Sequence, residues 1–362
     1  MQKTAIVCVT NDLSTDQRVH KTCMTLQKCG YWVIETGRLL PESLPLERPY
    51  FILRKILWFR KGPLFYTEFN IRLFLYLMTK KADLIVANDL DTLPACYMAS
   101  KLRKTRLIFD AHELFPEVPE LVHRPIIKGI WESIEQMILP HLTQTMTVCQ
   151  SIADYYNHKY NLQMSVVRNI PYRRDSKVQK PILAFPGKKV ILYQGALNTG
   201  RGLEMVLDAM PLIENTMLVI IGDGDIRKQL EERTKTLKIE DKVYFMGKIS
   251  GDKLHEYTPS ADIGLCLLEN KGLNYYYALP NRIFDYLQAG VPVLATNFPE
   301  IVNIVDTYHT GILIDHYEPE YLAGVINEML KNPFDTSHFQ SVAKELSWEN
   351  EEQVLMKLIN RN

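Results

Sequence analysis

Two arginines stand where helices are expected to begin. In "ALPNRIFDYLQAGVPV" (278–293), Pro280 and Asn281 are good opening residues for a helix that Gly290 closes, and Arg282 falls in its first turn. That end of a helix is positively polarised, so a cation there is unfavourable unless an anion lies beside it. "YQGALNTGRGLEMVLDAM" repeats the choice: Gly195, Gly200 and Gly202 surround a turn, and Arg201 stands where the next helix is expected to start. One phosphate or diphosphate would resolve both conflicts, receiving backbone N–H groups, helix ends and two guanidinium forks. The alternative is a local ion pair. Asp285 is three residues from Arg282 and could form a surface pair of small value. Two such arginines in unrelated loops favour the anion.

Asp285 lies one turn past Asn281 and Arg282, on the same helical face. A carboxylate beside a phosphate makes sense if it holds a neutral vicinal diol such as a ribose. "IIGDGD" follows another strand and places Gly222, Asp223 and Gly224 where a ligand can approach the backbone. "FMGKI", with Lys248 and Ile249, offers backbone groups to a base. Phosphate, ribose and base sites together imply a nucleotide. The absence of a Walker lysine motif argues against an ATPase. The absence of GxGxxG after the first strand argues against an ordinary dehydrogenase.

In the first half, three strand ends carry polar groups: Asn11, Asp16 and Arg18 after the first, Asp89 and Asp91 in "IVANDLDTLPA", and Asp110, His112 and Glu113 in "LIFDAHELFPE". A metal site is poorly supported, since His112 has no partner at i+4 and there is no HExxH. These residues fit either a hydrogen-bonded loop network or acceptor positioning and proton handling. Residues 50–81 are aromatic-rich, and Arg54, Lys55, Arg60 and Lys61 occur with no acid between 50 and 61. Their charges do not gather on one helical face. A packed helix with solvated charges and a contact with an anionic membrane both remain open.

These loops need elements to hold them. The chain has 362 residues, enough for two domains at typical sizes, and 46% of them are hydrophobic, enough for packed cores. Basic and acidic residues number 42 each, which argues against a general nucleic-acid binder. The six cysteines are scattered without a CxxC pair, as expected for reduced core thiols in a cytoplasmic protein. The N-terminus resembles no signal peptide, and no apolar run approaches the roughly 20 residues of a membrane span. Continuous Val/Ile/Leu runs alternate with helical patterns. "TAIVCVT", "YWVIET", "DLIVAN", "RLIFD", "TQTMTV" and "MSVVRN" come first, then "KVILYQ", "MLVIIG", "KVYFM", "ADIGLCLL", "VPVLAT" and "GILI". This is an α/β pattern: two Rossmann-like doubly wound domains facing a central cleft. The stretch 168–189, with three prolines and seven basic residues, is the candidate linker.

Taken in order, "TDQRVHKTCMTLQKCGY", "NDLDTL", "DAHEL", "YQGALNTGRGLE", "VIIGDGD", "YFMGKIS", "ADIGL" and "ALPNRIFDYLQAGVPVLATNFPEIV" resemble the family 4 retaining glycosyltransferases of the GT-B fold. "LSWENEEQVLMKLI" resembles the family's terminal segment, whose helix returns to the N-terminal lobe. The resemblance implies an acceptor-side domain over 1–170, with a helix at 347–362 packing back on it, and a nucleotide-sugar donor domain over 171–346. It places Arg201 where a phosphate-binding lysine is usual and Arg282 where a second Lys or Arg is usual. Asp285 falls at the later Glu of the E-x7-E motif, and His112 at the histidine near the reacting sugar. Two positions depart: Ala196 replaces an Arg, and Tyr277 replaces the first Glu of E-x7-E. Asn274, or backbone groups of Tyr277, Ala278, Leu279 and Pro280, would take over that Glu's contacts.

The implied activity is hexosyl transfer from a nucleotide diphosphate sugar, as co-substrate, to a hydroxyl of a glycan or lipid-linked acceptor. Configuration is retained, and neither metal nor cofactor takes part. The implied setting is bacterial surface polysaccharide synthesis in the cytoplasm, with peripheral contact to the inner membrane through residues 50–61. A GT-B nucleotide-sugar epimerase and a non-catalytic nucleotide-sugar-binding protein are the alternatives.

Overall fold

The computed structural model describes residues 2–14, 16–38, 40, 43, 45–55, 57–174 and 182–361. Residues 175–181 of the candidate linker, and Ile56 within the basic aromatic segment, lie outside the described residues. The chain forms two compact units: Met1–Asn169 with Asn350–Asn362, and Ile170–Glu349.

The first unit is built on seven strands: β1 (Thr4–Asp12), β2 (Trp32–Arg38), β3 (Phe51–Lys55), β4 (Leu84–Asn88), β5 (Arg106–Ala111), β6 (Thr145–Thr147) and β7 (Ser165–Val166). All pair in parallel, in the order β3-β2-β1-β4-β5-β6-β7. The order reverses between β1 and β4, as in a doubly wound sheet. All five residues of β4 are buried, as a strand covered on both faces requires.

β3 has no counterpart among the strands read from sequence. The stretch read as a basic aromatic segment divides into this strand and the helix Gly62–Thr79. β3 sits at the sheet's edge, is only partly buried and carries Arg54 and Lys55, so its residues lack the apolar run that marks a central strand.

The helix Trp348–Asn360 returns to this unit. Glu352 accepts from Thr25 Oγ1 and Lys28 Nζ, both at 2.8 Å. Glu351 accepts from Arg168 Nε at 2.8 Å, and Arg106 Nη2 donates to the Ile359 carbonyl at 3.0 Å.

The second unit holds β8 (Lys189–Gln194), β9 (Thr216–Ile221), β10 (Val243–Gly247), β11 (Ile263–Cys266), β12 (Val293–Thr296) and β13 (Gly311–Ile314). All are parallel, in the order β10-β9-β8-β11-β12-β13, and match the six apolar runs of the second half. Apolar clusters cover both faces. The order reverses between β8 and β11, and ligands in such sheets bind beyond the strand ends at that point. Five of the six cysteines are buried and none is paired. Among the described residues no helix is long and apolar enough to cross a membrane.

Candidate active site

Beyond the β8 end lies a pocket of about 330 Å3, wholly within the second unit. Gln194, Gly195, Ala196 and Arg201 line one side. Leu254, Leu279, Pro280, Asn281, Arg282 and Asp285 line the rest. Both arginines therefore reach one cavity.

Arg282 opens the helix Arg282–Ala289, with Asn281 as the preceding cap residue and Gly290 (φ 74) closing it. Ile283, Phe284, Tyr286 and Leu287 bury the helix in the core, and the Tyr286 hydroxyl donates to the Leu192 carbonyl at 3.0 Å. That anchoring fixes where Arg282 points. Its guanidinium lies 4.5 Å from the Tyr193 ring centroid and faces Gly195, where a β-carbon would sit 3.5 Å away. Arg282 is 8% exposed, and its Nη1 is buried without a hydrogen-bond partner.

Arg201 differs from the sequence expectation. The helix that follows is Leu203–Ala209 with Gly202 (φ 72) as its cap, so Arg201 belongs to the preceding loop and not to a helical first turn. Two glycines with positive φ, Gly200 and Gly202, delay the helix. Its guanidinium stacks 4.7 Å from the Tyr275 centroid, and its buried Nε has no partner. No carboxylate pairs with either arginine among the described residues, so the local pair with Asp285 does not form. Both guanidiniums act on the buried Cys266 thiol. Burial raises its pKa and the two cations lower it, leaving it at about 11.

Other residues named for donor binding lie outside this lining. Gly222 and Gly224 serve the protein's own loops. A β-carbon on Gly222 would stand 1.8 Å from the Gly195 carbonyl oxygen, and one on Gly224 2.5 Å from that of Leu197. Asp223 is exposed and accepts from the Gly224 N–H at 2.9 Å. Lys248 is exposed, and Ile249 packs on the core. Asn274 is buried, and Tyr277 packs on Tyr276 at 5.4 Å between ring centroids. Sequence reasoning missed Gln194, Leu254, Tyr193 and Tyr275. The two tyrosines read as ordinary strand and loop aromatics, and nothing local marks them as platforms for a guanidinium.

The first unit holds a separate network around His112, just beyond β5. Asp89 follows β4 in the left-handed region (φ 60), a conformation Asp tolerates. Its carboxylate accepts from the His112 backbone N–H at 2.8 Å and lies 3.2 Å from Nδ1. Nε2 lies 3.2 Å from both Asp110 Oδ2 and Asn88 Oδ1. Burial opposes charging the ring, but Asp89 and Asp110 outweigh it and push its pKa up to about 9. Burial likewise opposes ionising Asp110, yet Arg18 and His112 hold its pKa at about 2.

The acceptor-side residues are thus largely used by the fold. Arg18 is 4% exposed, grips Asp110 at 3.0 and 2.6 Å, and donates to the Val167 carbonyl at 2.6 Å. Asp16 caps the helix Gln17–Lys28 by accepting from the Val19 N–H at 3.0 Å. Asn11 is exposed with its Nδ2 3.4 Å from Asp16, and Glu113 is partly buried. Both His112 ring nitrogens face protein acceptors, so the hydrogen-bonded network expected as the alternative is present. What His112 offers beyond it is charge.

Two doubly wound parallel sheets, the second with a pocket lined by two arginines at its switch point, define a GT-B protein. The chain belongs to glycosyltransferase family 4: the family model "Glycosyltransferase Family 4" matches residues 19–171, and "Glycosyl transferases group 1" matches 175–346. The uncharacterised glycosyltransferase MJ1607 of Methanocaldococcus jannaschii is 27% identical over 200 residues, covering 53% of this chain and 48% of that protein. The chain spans about half the length of such curated relatives. Sucrose-phosphate synthase from Thermosynechococcus elongatus has a similar fold, with a TM-score of 0.78 at 17% identity over 99% of this chain and 98% of that one. HepE from Anabaena, solved in complex with UDP and glucose, has a TM-score of 0.74 at 13% identity over 99% of both chains.

Proposed function

We propose that the protein is a retaining glycosyltransferase that moves a sugar from a nucleotide diphosphate sugar to a hydroxyl of a glycan or lipid-linked acceptor. The observation that carries this is the pair of carboxylate-free guanidiniums in one pocket, with Asp285 in the same wall. In the transfer, the bond from the anomeric carbon to the diphosphate oxygen breaks as a bond to the acceptor oxygen forms on the same face. The acceptor's proton passes to the departing diphosphate. Arg201 and Arg282 stabilise the negative charge that develops there, a role preorganised cations perform without a metal ion. Asp285 accepts from the ribose hydroxyls. His112, with Asp89 and Asp110, supplies a fixed positive charge on the acceptor side.

The structure of HepE with UDP and glucose makes UDP-sugars the first donors to test. A thermal-shift screen of UDP-, GDP- and ADP-sugars should reveal one that stabilises the chain, by roughly 2.7 kcal/mol at 100 times its Kd. With that donor, Arg282→Ala lowers turnover about 10²-fold or more, and EDTA leaves the wild-type rate unchanged. Wild-type turnover in Arg282→Ala refutes its role, and a loss restored by Mg2+ refutes the metal-free step. Conversion of the donor alone into an epimer would mark an epimerase. Binding with neither transfer nor slow donor hydrolysis would mark a sensor.

We further propose a peripheral contact with an anionic membrane, as bacterial surface polysaccharide synthesis at the inner membrane would require. Its support is a face of the first unit broader than residues 50–61. The helix Gly62–Thr79 turns Leu64, Ile71 and Leu75 outward, and the helix Pro125–Ile138 turns Ile126, Ile130 and Met137 outward, each more than half exposed. The Tyr66–Trp131 contact, 5.0 Å between centroids, joins the two helices, and Trp58 beside them is 83% exposed. Residues 51–81 carry seven Lys or Arg and one acid, Glu68, in a chain balanced overall. Apolar stripes bordered by cations match a bilayer with anionic headgroups.

A further inference from the structure

Asp285 is tied to two other elements. Its Oδ2 accepts from Gln194 Nε2 at 3.1 Å, and Gln194 Oε1 accepts from Thr258 Oγ1 at 2.9 Å. Gln194 is the last residue of β8, and Thr258 follows the helix Gly251–Tyr257. Both are almost fully buried, at 2% and 1% exposure. The orientation of the amide follows from chemistry. A carboxylate oxygen only accepts, so the NH2 group must face Asp285, and the amide oxygen is left for the threonine hydroxyl. That hydroxyl also lies 3.1 Å from the Leu254 carbonyl, but the glutamine oxygen is nearer.

Gln194 thus stands in the pocket wall as a buried amide partner for the carboxylate. A lysine or arginine would also hold Asp285, but it would neutralise the charge and weaken Asp285 as an acceptor. An amide fixes the carboxylate and leaves its charge intact. Hydrogen bonds to an ionised acceptor are roughly twice as strong as neutral ones, and a fixed acceptor loses less rotamer freedom when it binds. We propose that Gln194 and Thr258 are positioning residues that hold the Asp285 carboxylate for a vicinal diol. They thereby set the pocket's preference for ribose over 2′-deoxyribose in a nucleoside diphosphate. This rests on the reading of the pocket as a nucleotide site.

The test uses the full chain and calorimetric titration with UDP, GDP and ADP and their 2′-deoxy counterparts. The diphosphate that binds best is carried forward. The wild type should favour its ribose form by about tenfold or more. Gln194→Met, close in size but without either hydrogen bond, should reduce that ratio by about threefold or more, the 2′-deoxy form losing less because only its 3′-hydroxyl meets Asp285. Thr258→Val removes only the hydroxyl, so it provides the same comparison if Gln194→Met does not fold. An unchanged ratio overturns the proposal. So does an equal loss for both sugars, which would indicate a packing role. If the wild type binds none of the diphosphates, the nucleotide reading falls and takes this proposal with it. Intact binding with an unchanged ratio removes this proposal alone.

Discussion

At the scale of residues, Arg282 poses the sharpest energetic problem. Arginine stays charged at any ordinary pH, and this one is buried with no carboxylate partner. Stacking on Tyr193 returns about 2 kcal/mol, whereas a buried charge stripped of its partner costs about 3–5 kcal/mol. In the proposed function a bound diphosphate recovers that shortfall, which a surface pair worth about 0–1 kcal/mol would not. His112 poses the opposite case, a cation well supplied with carboxylates. Its pKa is raised from 6.5 to about 9, so its contribution to folding is complete below pH 6.5 and fades as pH rises through 9. The loss amounts to at most about 3 kcal/mol. Urea unfolding of the wild type should therefore weaken between pH 6.5 and 9, and His112→Gln should flatten that slope. Equal slopes in the two proteins would show that the ring is not held charged.

At the scale of elements, the loops after β8 and β9 interlock through glycine. Gly222 has φ 151, and its missing β-carbon leaves room for the Gly195 carbonyl, so Gly222→Ala must force the two loops apart. Gly290 also has positive φ, at 74, but nothing lies within 4 Å of its absent β-carbon. Gly290→Ala should cost about 1–2 kcal/mol from backbone strain alone, and Gly222→Ala more than about 3 kcal/mol. Urea midpoints would rank them, and equal losses would remove the steric explanation. The elements themselves were unevenly legible. All six strands of the second unit could be read as apolar runs because both faces are covered. β3 could not, since an edge strand with Arg54 and Lys55 resembles its flanking loop. The helix Gly62–Thr79 is apolar on its buried side, at Phe65, Phe69, Leu73 and Leu77, and on its outward side as well, so no single face announced itself.

At the scale of the whole molecule, the chain leaves the first unit after Asn169 and rejoins it at Asn350. The returning helix binds Thr25, Lys28, Arg106 and Arg168 of that unit, so the first unit is complete only once residues 350–362 have been made. The proposed membrane contact makes its outward apolar face the part of the molecule to test. The full chain should sediment with vesicles containing about 30% anionic lipid, bind neutral vesicles weakly, and dissociate as salt rises past the point where surface charge is screened. Ile71→Glu combined with Leu75→Glu should abolish sedimentation without changing the melting temperature, because both side chains are exposed. Binding that ignores lipid charge and survives these substitutions would show that this face does not meet a membrane.

Local chemistry was enough to read the alternation of strands and helices, the two arginines, Asp285 and the closing Gly290. Each depends on spacing and residue type within a few positions. The sequence also carried the family resemblance, through motifs spread along most of the chain. Tertiary structure decided what those residues face. It stacked the arginines on Tyr193 and Tyr275, tied Asp285 to Gln194, and set the Gly195 carbonyl against Gly222. It also locked Arg18, Asp89 and Asp110 around His112. Such contacts join residues dozens of positions apart, and no periodicity or propensity encodes them. They exist only once parallel strands bring distant loops to the same edge of a sheet.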